Sequence, residues 1–207
     1  MKIITISREF GSGGRELGKR LADTLDIAYY DREILSAIAE KSQLDERYVA
    51  NLLEKGIGHS YPITYRHTFS LAPCGQDHTT RLLVAQQQVL KALAQRGEDC
   101  VIVGRCADVI LRAYNPLNLF VYADLAAKMQ RCRERAAEDE HLSDRDLERK
   151  IRQIDAERAR HRALLANGTW GKKEYYHLCL NTTGLEIKGL TAVVADYSSF
   201  WFKEDHV

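Results

Sequence analysis

Four absences narrow what this chain does, three of them compositional. No apolar run approaches the ~20 residues of a membrane-spanning helix, and the first residues lead straight into a β-branched stretch, where a signal peptide would carry a charged start and an apolar core. Net charge is nearly absent: 30 Lys and Arg against 29 Asp and Glu leave +1 over 207 residues. That removes the sequence-wide attraction to nucleic acid or anionic membrane. The five cysteines (74, 100, 106, 132 and 179) are odd in number and show no C-x-x-C spacing, which speaks against a disulfide framework or a zinc site and for reduced thiols. The expectation is one cytoplasmic domain spanning 1–207, long enough to bury a full core, with no membrane and no nucleic-acid partner. Oligomeric state is not legible.

The fourth absence is chemical. Ile3-Ile4-Thr5-Ile6-Ser7-Arg8 reads as a strand, Glu9 to Gly14 as a glycine-rich turn, and Arg15 to about Leu25 as a helix. Strand, glycine turn and helix N-terminus together form a cradle for phosphate, because backbone N–H groups converge on the anion and the helix dipole favours it. The pattern G-x-x-x-x-G-K-[ST] is not met: counting from Gly13, Gly14 stands at the lysine position and Arg15 at the hydroxyl position. A basic residue in the first turn of a helix opposes the dipole by roughly 0.3–1 kcal/mol. Arg15 there, and Arg8 just before the loop, make sense with an anion between them.

Further short apolar runs, Cys100–Val103, Leu117–Tyr122 and His177–Asn181, with a shorter one at Ile27–Tyr30, read as buried parallel strands. Helical patterns fill the intervals at 31–41, 81–96, 124–138, 143–166 and 188–198. This alternation predicts an α/β fold, a parallel sheet flanked by helices. The stretch 56–80 holds two of the three prolines and no period, and reads as a loop or insertion.

Ligands of parallel sheets bind at the carboxyl ends of the strands. Those ends carry Arg8 and the loop, then Asp31 and Arg32, then Gly104 and Arg105, with Asp108 close behind. Arg131, Arg133 and Arg135 precede a polar link, and Ser143 and Asp146 form a capping-box-like start to a second charged helix that carries Glu157-Arg158-Ala159-Arg160. Two charged helices with little apolar surface suit a helical lid over a polyphosphate, covering about 125–162.

At these residues the chain resembles the nucleoside monophosphate kinases of the P-loop superfamily, most closely the cytidylate kinase-like family. Ile6-Ser7-Arg8-Glu9-Phe10-Gly11-Ser12-Gly13-Gly14-Arg15 falls where that family's strand and phosphate loop fall. Tyr30-Asp31-Arg32 resembles its acceptor-site turn, Ile102-Val103-Gly104-Arg105 its strand with a phosphate-contacting arginine, and Glu157-Arg158-Ala159-Arg160 its D-R-x-R after the lid. The resemblance implies a kinase that uses ATP and Mg2+ to phosphorylate a small-molecule nucleotide, a CMP-like nucleoside monophosphate. It implies donor binding by Gly11, Ser12, Gly13, Gly14, Arg15 and Glu16, with acceptor binding by Asp31, Arg32, Arg105, Arg158 and Arg160. Arg15, Arg131 and Arg158 would be catalytic, and Glu16 or Asp108 would hold magnesium through water. Stretch 56–80 would be the acceptor-side insertion. The departures are Gly14 in place of lysine, Arg15 in place of a small or hydroxyl residue, and Cys106 in place of an aspartate. They leave a rival reading open, a non-catalytic nucleotide- or phosphate-binding module.

Overall fold

The computed structural model describes residues 1–31, 33–44, 74–136 and 142–203. Five strands, β1 (Ile3–Arg8), β2 (Ala28–Tyr30), β3 (Cys100–Val103), β4 (Leu117–Tyr122) and β5 (Leu178–Asn181), form one sheet in the order β2-β3-β1-β4-β5. Every pairing is parallel, so each connection must cross a face of the sheet. Helices α1 (Gly14–Leu25), α2 (Glu33–Ser42), α3 (Cys74–Gln95), the short α4 (Ala107–Ile110), α5 (Leu125–Glu134), α6 (Asp144–Leu165) and α7 (Ile187–Trp201) follow in chain order.

The β-branched runs explain the strands: with both faces covered, the apolar side chains of β1 and β3 meet apolar neighbours on either side. Ile4 and Ile6, with Val101, Val103, Leu117, Leu119 and Val121, pack against Leu17, Leu21 and Ala22 of α1 and Ile187, Val194 and Ala195 of α7. Ile3, Cys100 and Ile102 face the other way, onto Ile34, Leu35 and Ile38 of α2 and Leu82, Leu90 and Ala94 of α3. The first connection leaves β1 toward β2, while β4 pairs on its opposite side, so the sheet order reverses at β1 and a crevice opens at its carboxyl end. There Gly104 N donates to Ile6 O at 2.9 Å, bringing the end of β3 beside Arg8.

All five strands stand where the apolar runs put them. The correction concerns α3, which begins at Cys74 rather than at Arg81. The segment Cys74–Thr80 contains no apolar repeat, so no periodicity announces its helix. The rest of the expected insertion, 56–73, lies outside the described residues. Tyr197 and Trp201 of α7 pack against the core, while Phe200 is exposed. No helix among the described residues is long and apolar enough to cross a membrane.

Gly18 lets α1 lie close to the sheet: a Cβ there would sit 2.7 Å from Val103 Cγ2 and 3.1 Å from Ile6 Cδ1. Gly18→Ala gains about 1 kcal/mol of helix propensity but overpacks a core that tolerates it at a cost of about 1–3 kcal/mol. Urea unfolding of this variant should show a net loss of about 1 kcal/mol, whereas a gain would mean the helix moves off the sheet freely.

Candidate active site

The glycine loop between β1 and α1 is fixed from several sides. Gly13 caps α1 in the left-handed region (φ 82°) and, having no side chain, makes no cap hydrogen bond, which suits the first N–H groups of α1 to an anion. Buried Ser12 donates its hydroxyl to Glu9 O at 2.8 Å and accepts through its own carbonyl from Thr182 Oγ1 at 2.7 Å. Gly11 (φ 76°) abuts α5: a Cβ there would lie 2.8 Å from Lys128 O and 3.0 Å from Cys132 Sγ.

Under the loop lies a buried ionic network that sequence reading did not find. Lys128 Nζ donates to Glu9 Oε2 at 3.1 Å and Asp155 Oδ2 at 2.7 Å, while Asp155 Oδ1 accepts from Phe10 N at 2.6 Å. Both helices of the charged hairpin thus grip the loop, α5 through Lys128 and α6 through Asp155. The paired carboxylates compensate the lysine's burial. Ser143 caps α6 as expected, accepting from Asp146 N at 3.2 Å.

The end of β3 is the most strained backbone near the cavity. Gly104, Arg105 and Cys106 are successively left-handed, with φ of 78°, 57° and 51°. Such non-glycine positions cost of order 1–3 kcal/mol each and persist only where neighbours enforce them. Gln86 of α3, fully buried, donates Nε2 to Arg105 O at 2.7 Å and holds the turn. Cys106 Sγ lies 3.8 Å from His161 Nδ1. Burial, and then Asp108, push the Cys106 thiol up to about 12, so it stays protonated. Burial, and then Arg105, pull His161 down to about 4, so its imidazole is neutral.

Loop, strained turn and hairpin surround a cavity of about 1280 Å³, larger than the ~300–1,000 Å³ of a single small-molecule pocket. Among the described residues Arg8, Arg15, Arg105, Arg131, Arg133, Arg135, Lys150, Arg158 and Arg162 line it, against the carboxylates Glu9, Asp31 and Glu157. Residues 147, 150, 154, 158 and 161 in its wall recur at helical spacing, so one face of α6 forms a side of the cavity.

The expected site residues fall as follows. Gly11, Gly13, Gly14 and Arg15 line the cavity with Asp31, Arg105, Arg131 and Arg158, whereas Ser12 is packed beneath. Arg15 is half exposed and reaches Asp31 at 2.6 Å, away from the loop. Arg131 donates to Thr182 O at 2.5 Å and Leu185 O at 3.1 Å, beyond β5. Arg158 donates to Arg8 O at 2.8 Å, its guanidinium over the Phe10 ring. Arg160 is exposed and outside the cavity wall. Arg32 lies outside the described residues. The carboxylates expected at magnesium are engaged elsewhere: Glu16 by Arg20 at 2.8 Å and by Arg135, and Asp108 by Arg162, behind the turn. Among the described residues no group of three His, Cys, Asp or Glu could hold a metal ion, so these side chains do not fit an ion held by the protein itself.

Arg162 went unnoticed in the sequence, although it stands four residues after Arg158 and shares its helix face. It is buried between Asp108 and the rings of Tyr175 and Tyr176, 5.6 and 5.4 Å away.

The sequence profile of the cytidylate kinase-like family matches residues 3–184. The chain belongs to that family. Among curated proteins no relative matches it. Of solved structures, an uncharacterized protein from Eubacterium ventriosum is similar at 24% identity and a TM-score of 0.68, over 96% of this chain and 99% of that one. Shikimate kinase from Bacteroides thetaiotaomicron (16% identity, TM-score 0.56, 98% and 99% covered) shares the fold. So does shikimate kinase from Acinetobacter baumannii in complex with shikimate (14%, 0.53, 95% and 92%). The fold is that of the P-loop kinases, and family and fold together support a phosphotransferase.

The depressed His161 makes stability depend on acid. Below its ordinary value near 6.5 the unfolded chain takes up a proton that the folded chain refuses, so stability falls as pH drops from about 6.5 to about 4. Wild type should lose about 2 kcal/mol more than His161→Gln between pH 6.5 and 5 in urea unfolding. Equal losses would show that the imidazole titrates normally.

Proposed function

We propose that the protein is an ATP-dependent phosphotransferase whose acceptor is a nucleoside monophosphate of the CMP type or a similar small phosphate. The observation that carries this reading is the cationic cavity, with an uncapped glycine loop on one side and Arg105 and Arg158 on the other, roomy enough for a donor and an acceptor together. Kinases of this fold in general use ATP with magnesium. With no metal-holding cluster among the described residues, magnesium would come with the nucleotide, held by phosphate oxygens and water.

The reaction needs little from the protein beyond position and charge. An oxygen of the acceptor phosphate attacks the γ-phosphorus, the bond from that phosphorus to the β–γ bridging oxygen breaks, and ADP leaves. The acceptor is already anionic, so no base has to remove a proton. Gly11, Gly13 and Gly14 receive the donor phosphates on their backbone, and Arg105 and Arg158 hold the acceptor phosphate. Arg15 and Asp31 form the rim between them. Arg131 and the α5–α6 hairpin act as the lid, excluding water on closure.

Purified protein with ATP and magnesium should form nucleoside diphosphate from CMP, dCMP, UMP, AMP or GMP, with one preferred. Arg105→Ala should lower kcat/KM for it by about 100-fold, as loss of a charge-assisted contact does. Turnover only with a hydroxyl acceptor such as shikimate would overturn the nucleotide reading while keeping the reaction class. No turnover with either class would overturn both.

A further inference from the structure

The missing lysine and the unexpected Arg8 are one feature. Set on Gly13, the pattern G-x-x-x-x-G-K-[ST] puts its first glycine on Arg8 and its lysine on Gly14. This chain has glycine and cation the other way round. In space, a Cβ on Gly14 would lie 2.6 Å from Arg8 Cβ and 3.2 Å from its Cγ. A Cβ on Gly104, at the strained end of β3, would lie 1.7 Å from Arg8 Nη1 and 2.8 Å from Cζ. The stem of Arg8 therefore fills the room over Gly14, and its guanidinium fills the room over Gly104.

The position suits an anion. Arg8 lines the cavity at the meeting of the glycine loop, Arg105 and Arg158, with its side chain only 16% exposed. Its nearest carboxylate, Asp31, is 3.7 Å away and is held more closely by Arg15 at 2.6 Å. Burial first, then Arg158 and Arg105, lower its pKa to about 9, outweighing the opposing pull of Asp31. A buried cation crowded by other cations is stabilised by a polyanion entering the cavity.

We propose that Arg8 is the donor-phosphate cation of this site, taking over from the first position of the loop the work that lysine does from the seventh, with Gly14 and Gly104 as the space that admits it. The proposal deepens the phosphotransferase reading and rests on it. It assigns the role to Arg8 rather than to Arg15, and it makes an unusual demand: restoring the familiar lysine alone should harm the site, because a side chain at 14 meets the stem of Arg8.

The test is calorimetric binding of ADP and of inorganic tripolyphosphate to wild type, Arg8→Gln, Arg8→Lys, Gly14→Lys and the exchanged double variant Arg8→Gly/Gly14→Lys, with circular dichroism checking that each is folded. Arg8→Gln should weaken both ligands by about 30-fold or more, the loss of one charge-assisted contact, and Arg8→Lys should recover part of it. Gly14→Lys should lose about tenfold, and the double variant should bind better than Gly14→Lys alone. Folded Arg8→Gln binding like wild type, or Gly14→Lys binding as well as wild type, would overturn the inference alone. Wild type binding neither ligand would overturn the phosphotransferase reading and the inference with it. Should Arg8→Gln fail to fold, Arg8→Lys and Gly14→Lys decide: both should bind more weakly than wild type, and either one binding as tightly as wild type would contradict the role.

Discussion

A guanidinium buried among other guanidinium groups is the constraint on which the rest of the site depends. Arg8 ends the central strand, sits against Arg105 and Arg158, and shares its nearest carboxylate with Arg15. Protein alone compensates that charge poorly, and the surrounding backbone is shaped to keep it there. Gly14 and Gly104 leave the space. Gln86 holds the left-handed turn, and Arg158 ties α6 to the carbonyl of Arg8 itself. Strain and poorly compensated charge meet where a ligand would relieve them, as is usual of functional sites.

A second ionic network, in which carboxylates outnumber the cation, performs a different task. Lys128 is shared between Glu9 and Asp155, and Asp155 also accepts from the amide of Phe10, so the loop is tied to both helices of the charged hairpin. Many carboxylates stand in pairs at or behind the cavity wall, with Lys128, Arg162, Arg135 and Arg20, while cations outnumber the described carboxylates that line the cavity. Net charge near zero therefore coexists with a strongly cationic site.

The strands were legible because short continuous apolar runs, β-branched in β1 and β3, have few other uses in an α/β domain, and β1, β3 and β4 stand on those runs. The start of α3 was hidden, since Cys74 to Thr80 offers no apolar period. At the site, the missing lysine was visible in one dimension, but its exchange with Arg8 needed the Cβ geometry at Gly14 and Gly104. Helical spacing separates Arg158 and Arg162, on one face, from the exposed Arg160, a distinction that the motif alone obscured. The pairing of Cys106 with His161 joins residues far apart in the chain and had no sequence signal.

The central claim is that this cavity recognises phosphate, with the rest of the ligand secondary. A titration of adenosine, AMP, ADP and ATP against wild-type protein, repeated at raised salt, measures that directly. Affinity should climb with each phosphate, with ADP about 100-fold or more above adenosine, and part of the gain should fade as salt screens the charges. Adenosine binding as tightly as ADP, indifferent to salt, would contradict the account.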